Sequence, residues 1–242
     1  MALVDDLREE TDAIVRGAWE YRDGTVVPET NDLQLGNKAV KFVGTFLYAD
    51  LADSTELAIA TPQIAAEVFK VYPMGTTRII RSLKGEVRSF DGDRVMAVFL
   101  EGAKNTNAAE AALKISYFFS EILRPAFATF YKYQSLNLTQ TVGIDTSEVR
   151  VVRSGIRNNN DLVWVGRAPN IAAKLSSIRE PGYSTYITQA VFDVMAESSK
   201  TSNKDFGNPP NTLMWELRSW SRGVPYGVQN IYRSGWWWNP DW

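Results

Sequence analysis

The stretch Val43-Gly44-Thr45-Phe46-Leu47-Tyr48-Ala49-Asp50-Leu51-Ala52-Asp53-Ser54-Thr55-Glu56 decides how the chain is read. Val43 to Tyr48 is a run of β-forming residues, which predicts a buried strand with Asp50 at its end. Asp53-Ser54-Thr55-Glu56 predicts a helix start, a small polar cap followed by an acid three positions on. A carboxylate set between a buried strand and the bare amides of a helix N-terminus suits a cation that carries phosphates. An ordinary cap beside a surface aspartate is the plain alternative for this stretch alone.

Composition narrows the chemistry. The 242 residues are 45% apolar and 22% charged, enough for a globular core. A net charge of −2 argues against a protein that coats nucleic acid. No apolar run is long enough to span a bilayer, and Met1 to Arg16 has no signal-peptide pattern. The chain has no cysteine, hence no disulfide and no thiolate nucleophile or ligand. It has no histidine either, which excludes a Ser-His triad, an imidazole base and a His-bound zinc. Any metal must be held by oxygen, which points to magnesium or manganese before calcium.

Outward from the opening stretch, Leu3 to Tyr21 reads as a one-sided helix and Tyr21 to Lys41 as an irregular arm punctuated by Gly24, Pro28 and Gly36. Thr61-Pro62 opens a second helix that Pro73 should bend or break, and Gly85 closes that region. Glu86 to Phe90 and Val95 to Leu100 form a hairpin around Asp91-Gly92. Asn105 to Ile122 is helical, and Leu138 to Asp145 with Val149 to Val152 reads as a strand pair. Asn158 to Asp161 is a loop, Leu162 to Val165 a short strand, and Arg167 to Ile178 a helix. Tyr183 to Ile187 is a strand, Gln189 to Ala196 a helix, and Ser198 to Pro210 a linker before a tail ending in Trp236-Trp237-Trp238. This order predicts an α+β domain of ferredoxin-like type, a mixed sheet with helices on one face. Residues 1–40 would be a helix and arm, 41–197 the main domain, and 198–242 a Trp-rich extension, either packed on that domain or offered to a partner.

Two further elements carry chemistry. Asp93 lies at the hairpin tip, far enough from Asp50 in the chain for a helical crossover between neighbouring strands. Carboxylates from adjacent strand ends can hold two divalent ions that assist an in-line phosphoryl displacement, although Asp-Gly-Asp is also good turn chemistry. In Gly166 to Leu175, Asn170 and Lys174 share one helix face, while Ile171, Ala172 and Leu175 share the other. An amide and an ammonium suit a phosphorus centre bearing extra negative charge; a solvated polar stripe is the plain alternative.

In order and spacing, Phe46 to Leu51, Gly92 to Phe99, Gly143 to Val149 and Gly166 to Leu175 resemble class III nucleotidyl cyclases across about Lys41 to Met195. The resemblance implies a head-to-tail homodimer with composite sites and a nucleoside triphosphate substrate. Asp50, the Leu51 carbonyl and Asp93 of one protomer would hold two divalent cations, Mn2+ or Mg2+. Asn170 and Lys174 of the other would face the transition state. The amides of Ala52, Asp53, Ser54 and Thr55 would meet the β- and γ-phosphates. The ribose 3′-hydroxyl would attack the α-phosphorus and release pyrophosphate.

The sequence also departs from that pattern. Purine-using members commonly read the base with a lysine and an aspartate, at positions matching Ser89 and Val163 here. Arg88 is adjacent to Ser89, but strand alternation would turn it to the other face. Lys174 stands where the family places an arginine, and Arg167 is the candidate to supply the missing fork. Tyr48 shares the Asp50 face and would narrow the pocket, which suits a smaller base, although a plain core aromatic is the alternative. With the short length and N-terminal arm, these features are similar to the pyrimidine cyclases of Pycsar antiphage defence. That similarity implies a cytoplasmic enzyme making 3′,5′-cyclic UMP from UTP for a separate effector protein, with CTP and cyclic CMP as the second choice. No nucleic acid or membrane partner is expected. An adenylate cyclase with unusual base contacts, and a catalytically inactive nucleotide-binding domain, are the remaining readings. Two intact aspartates favour the enzyme; lysine in place of arginine leans the other way.

Overall fold

A computed structural model describes residues 2–131, 138–156, 158–202 and 211–241. The chain divides into two compact units, Met1–Val43 with Glu148–Gly166, and Gly44–Ser147 with Arg167–Trp242.

In the first unit, α1 (Leu3–Arg16) has Asp5 and Asp6 in its first turn and Arg16 in its last, a charge order that suits the helix dipole. None of its residues is buried. The Asn37 side-chain amide donates to the Ile14 and Gly17 carbonyls, both at 2.8 Å, and so ties off the helix end. The arm expected over Tyr21 to Lys41 is more regular than its local sequence suggests. β1 (Glu20–Asp23) pairs in parallel with the start of β2 (Lys38–Ala52), Glu20 opposite Lys38. Inter-strand hydrogen bonds, which local propensity does not encode, supply that order. The expected strand pair, loop and short strand after Leu138 are instead a single long hairpin. β5 (Thr139–Ile156) pairs with β6 (Asn159–Gly166) from Val149 opposite Gly166 to Ile156 opposite Asn159. Asn158 takes the left-handed turn conformation at φ 69°.

The second unit is built on the spatial order β3 (Glu86–Asp91), β4 (Arg94–Phe99), β2, β5, β7 (Thr185–Thr188), β9 (Asn230–Ser234), β8 (Glu216–Ser219). β5 and β7 run parallel, whereas β2 and β4, β3 and β4, β7 and β9, and β8 and β9 run antiparallel, which makes the sheet mixed. Alternation along the strands gives the sheet two apolar faces. Leu47, Ala49, Leu51, Val95, Ala97, Phe99, Val142, Ile144 and Ile187 join the main core with residues of α3 (Pro62–Ser82), α4 (Lys104–Tyr117) and α7 (Gln189–Val194). On the other face, Ile171 and Leu175 of α6 (Arg167–Ser176) meet Tyr186, Val228 and Ile231. Most helices therefore share one face, with α6 on the other.

Pro73 does not break α3: buried Val68 and Tyr72 before it, and Thr76, Ile79 and Ile80 after it, hold both halves of the helix against the core. The tail is also woven into this unit. Trp236 and Trp238 pack on the core, the Trp238 amide donates to the Leu113 carbonyl at 3.1 Å, and Trp237 meets Tyr117 edge-on. The tryptophan row is thus a clasp on α4. The linker expected over Ser198 to Pro210 lies largely outside the described residues.

Two contacts fix α6. Gly143 on β5 lies under it so closely that a Cβ there would come within 2.1 Å of the Ala172 carbonyl oxygen and 2.4 Å of the Ser176 nitrogen. At the helix start, Arg167 donates from Nε to Asp145 Oδ2 at 3.0 Å and from Nη2 to Asp145 Oδ1 at 3.2 Å and the Thr146 carbonyl at 2.8 Å. Thr188 Oγ1 donates to Asp145 Oδ1 at 2.6 Å. Burial raises the Asp145 carboxyl above its ordinary value, and the Thr188 hydroxyl and Arg167 charge oppose that rise. Where the sequence suggests a fork offered to the reaction, the Nε–Nη2 edge of Arg167 is engaged with Asp145 inside its own protomer.

Gly143→Ala should lower stability by about 2 kcal/mol, because helix backbone rather than a flexible side chain must give way. Arg167→Ala should cost about 3 kcal/mol by stranding a buried carboxylate, and Asp145→Asn in the same chain should recover part of that loss. Thermal and denaturant unfolding of the three proteins measures both effects.

Candidate active site

The hairpin β3–β4 turns through Gly92-Asp93, with Asp91 opposite Arg94. Gly92 sits at φ 61°, the positive value that the first residue of a II′ turn requires. Ala49 on β2 is opposite Val95 on β4, so Asp50 comes beside Arg94 and Leu51 beside Asp93. The two sequence-predicted acids therefore arrive at one end of adjacent strands. Both acids push the hydroxyl of the fully buried Tyr72 upward, behind the larger effect of burial itself. Beneath them a polar chain runs through the core: Tyr72 donates to Gln140, Gln140 to Ser116, and Ser116 pairs with Ser184.

The acids differ in their surroundings. Asp50 is 7% exposed, and both of its oxygens face arginine. Arg94 donates from Nε to Oδ1 at 3.1 Å and from Nη2 to Oδ2 at 3.3 Å, while Arg179 donates from Nη2 to Oδ2 at 2.9 Å. The hydrogen bond to Asp50 is the main reason the Arg94 guanidinium is held above its ordinary value. Asp93 Oδ2 is buried with no hydrogen-bond partner among the described residues. An orphaned buried carboxylate oxygen is a costly arrangement unless something else supplies positive charge. Among the described residues no cluster of three or more acids, histidines or cysteines exists. Two carboxylates and a main-chain carbonyl are a sparse protein set of the kind magnesium uses when phosphates and water complete its shell. The residues present fit hard divalent-cation binding on these grounds.

The turn that follows departs from the expected cap. α2 spans Ser54–Ala60, and Asp53 before it is left-handed at φ 60° with no side-chain cap hydrogen bond. An extended cap residue is what aims its side chain at the first amides, and Asp53 is not extended. Ala52 is buried, Ser54 is half-buried, and Asp53 and Thr55 are exposed.

Tyr48, Met96 and Ser89 form a row across three strands on the Asp50 side of the sheet. Tyr48 is opposite Met96, Met96 is opposite Ser89, and the Ser89 hydroxyl lies 3.6 Å from the Met96 sulfur. Burial raises the Tyr48 phenol, which keeps it protonated at neutral pH. The register shifts between Val87 and Ser89, leaving Arg88 as the extra residue of a β-bulge. Strict alternation, used above to place Arg88, does not hold at this point.

On α6, Asn170 and Lys174 are exposed while Ile171, Ala172 and Leu175 are fully buried. The Lys174 ammonium lies 5.4 Å from the Tyr226 ring centroid. Sequence reasoning missed the two arginines on Asp50. Arg94 was recoverable from the hairpin register. Arg179, 129 residues from Asp50, carries no local signal beyond a basic residue after a helix end. Among the described residues no helix is long and apolar enough to cross a membrane.

No family model matches the chain. A uridylate cyclase of Xanthomonas perforans is 41% identical over 243 residues, covering 100% of both chains. Uridylate cyclases of Burkholderia cepacia and Rhodovulum sp. (strain MB263) are 39% and 35% identical, covering 98% and 99% of this chain and 99% of each relative. Solved structures with the same fold include the guanylyl cyclase Cya2 and the adenylyl cyclase CyaB from P. aeruginosa. Their TM-scores are 0.60 and 0.58, each at 19% identity, covering 83% and 81% of this chain and 95% of each structure. With full-length identity on one side and a shared α+β cyclase fold on the other, the chain belongs to the uridylate cyclase family.

Proposed function

We propose that the protein cyclises UTP to 3′,5′-cyclic UMP and pyrophosphate at sites shared between two head-to-tail protomers. The reading is supported by the arrival of Asp50 and Asp93 at one end of two adjacent strands, with Asp93 Oδ2 buried and without a partner among the described residues. Asp50, the Leu51 carbonyl and Asp93 would hold two divalent cations, Mn2+ or Mg2+, which when bound make the 3′-hydroxyl more acidic and draw charge from the α-phosphate. The amides of Ala52, Asp53, Ser54 and Thr55 receive the β- and γ-phosphates as hydrogen-bond donors. Asn170 and Lys174 of the partner subunit neutralise charge as it builds on the phosphorus oxygens. Arg167 holds the start of α6 through Asp145 and thereby positions those two side chains.

Pyrimidine selection rests on the row Tyr48, Met96 and Ser89. A phenol at the Asp50 side of the pocket narrows it. Neither Ser89 nor Val163 supplies the charged pair that reads a purine. Arg88, the extra residue of the bulge beside Ser89, would be a further candidate for the same edge. Three full-length relatives bearing the name uridylate cyclase support UTP over CTP. The product is a diffusible second messenger for a separate effector protein in antiviral defence.

Purified protein with Mn2+ and each NTP in turn should yield cyclic UMP as the main product; cyclic AMP in its place would replace the substrate assignment. Asp50→Ala and Asp93→Ala should each lower turnover about a thousand-fold or more, the worth of several kcal/mol of charge stabilisation, without loss of fold. Near-normal turnover in either would sink the shared-cation assignment. Mixing Asp93→Ala with Asn170→Ala protomers should restore roughly a quarter of wild-type turnover, because random pairing gives half heterodimers with one intact site each. Tyr48→Ala should raise ATP turnover relative to UTP by about ten-fold.

A further inference from the structure

Asp50 carries one negative charge and faces two guanidinium groups, yet the two are held very differently. Arg94 is fixed by strand register, opposite Asp91 and across from Asp50, and presents a side-on fork. Arg179 lies just past the end of α6, on the irregular stretch before β7. It reaches Asp50 Oδ2 with Nη2 at 2.9 Å, while its Nη1 donates to the Ser176 and Ile178 carbonyls. Its side chain is one-third exposed, whereas that of Asp50 is 9% exposed. Oδ2 accepts from both arginines, so a cation approaching that oxygen meets the Arg179 charge.

A triphosphate entering beside Asp50 changes the balance. It brings several negative charges and pairs of phosphoryl oxygens, which a planar guanidinium binds two at a time and more strongly than a single shared carboxylate oxygen. Arg179 can turn about a tether that leaves its Ser176 and Ile178 contacts close by. Arg94 is as exposed as Arg179 but holds Asp50 by two bonds, one to each oxygen, against the single bond from Arg179.

We propose that Arg179 is an exchangeable counter-ion of the active site: it neutralises Asp50 in the nucleotide-free protein and passes to the substrate's triphosphate as nucleotide enters, leaving Asp50 Oδ2 with Arg94 alone and one of its lone pairs open to a divalent cation. The inference rests on the two-cation reading above. It makes the free protein a weak binder of divalent cations and couples cation binding to nucleotide binding, because one side chain serves both. Arg179 is thereby a positioning residue for the metal ligand and a contact of the substrate.

One substitution should act in opposite directions on two equilibria. In the full-length protein without nucleotide, Arg179→Gln should bind Mn2+ about five-fold tighter or more than wild type, read as free Mn2+ by electron paramagnetic resonance. In EDTA, the same variant should bind 3′-deoxy-UTP, which lacks the attacking hydroxyl, more weakly than wild type by calorimetry. Arg179→Lys should fall between wild type and Arg179→Gln in both titrations and guards against misfolding, with thermal melts as the check. Unchanged or weaker Mn2+ binding in Arg179→Gln, with Mn2+ binding still lost in Asp50→Asn, overturns the exchange and leaves the two-cation site standing. Mn2+ binding indifferent to Asp50→Asn overturns both.

Discussion

A carboxylate at the nearly closed end of a buried strand needs counter-charge, and the second unit is arranged to supply it to Asp50. The strand that carries it is covered by helices, so water reaches little of the group. The neighbouring hairpin delivers one guanidinium in register, and the segment after α6 delivers another from far along the chain. Tyr72 is buried within reach of both acids' charge, with Gln140 and Ser116 behind it to satisfy the hydroxyl.

The proposed site divides in two. The parts proposed to manage phosphorus chemistry lie at strand ends and on one exposed helix face, where backbone geometry dictates their position. The parts proposed to meet the base lie on β3 and on the Tyr48 side of β2, where side-chain size and a single irregularity decide the shape. The two sets can change independently. The same fold is shared at 19% identity with a protein named for guanylyl and one named for adenylyl cyclisation, and the full-length relatives are named for uridylate cyclisation.

Much of this was legible in the sequence because it is local. Alternating apolar residues through Phe46 to Ala52, an Asp-Gly turn before Val95 to Phe99, and the i, i+4 spacing of Asn170 and Lys174 each name their own geometry. The opposite burial of Asn170 and Ile171 follows from helical periodicity alone. What escaped reading is what depends on partners distant in the chain. β1 gains its order by pairing with β2, the second half of β5 is extended by β6 beside it, and Pro73 is held helical by a core on either side. Arg167 looked free because its partner, Asp145, lies on β5, 22 residues earlier in the chain. The left-handed Asp53 and the bulge at Arg88 are backbone choices that residue type permits but does not announce.

The bulge has a consequence for how such a pocket changes over time. Val87 and Ser89 are two apart yet face opposite sides of the sheet, because one additional residue separates them. Losing that residue would rotate every side chain between it and the turn by half a period, while Gly92-Asp93 would still close the hairpin. Insertion or deletion at this one point, rather than exchange of side chains, is then a route by which the wall proposed to meet the base can be rewritten in a single event with the hairpin tip left in place.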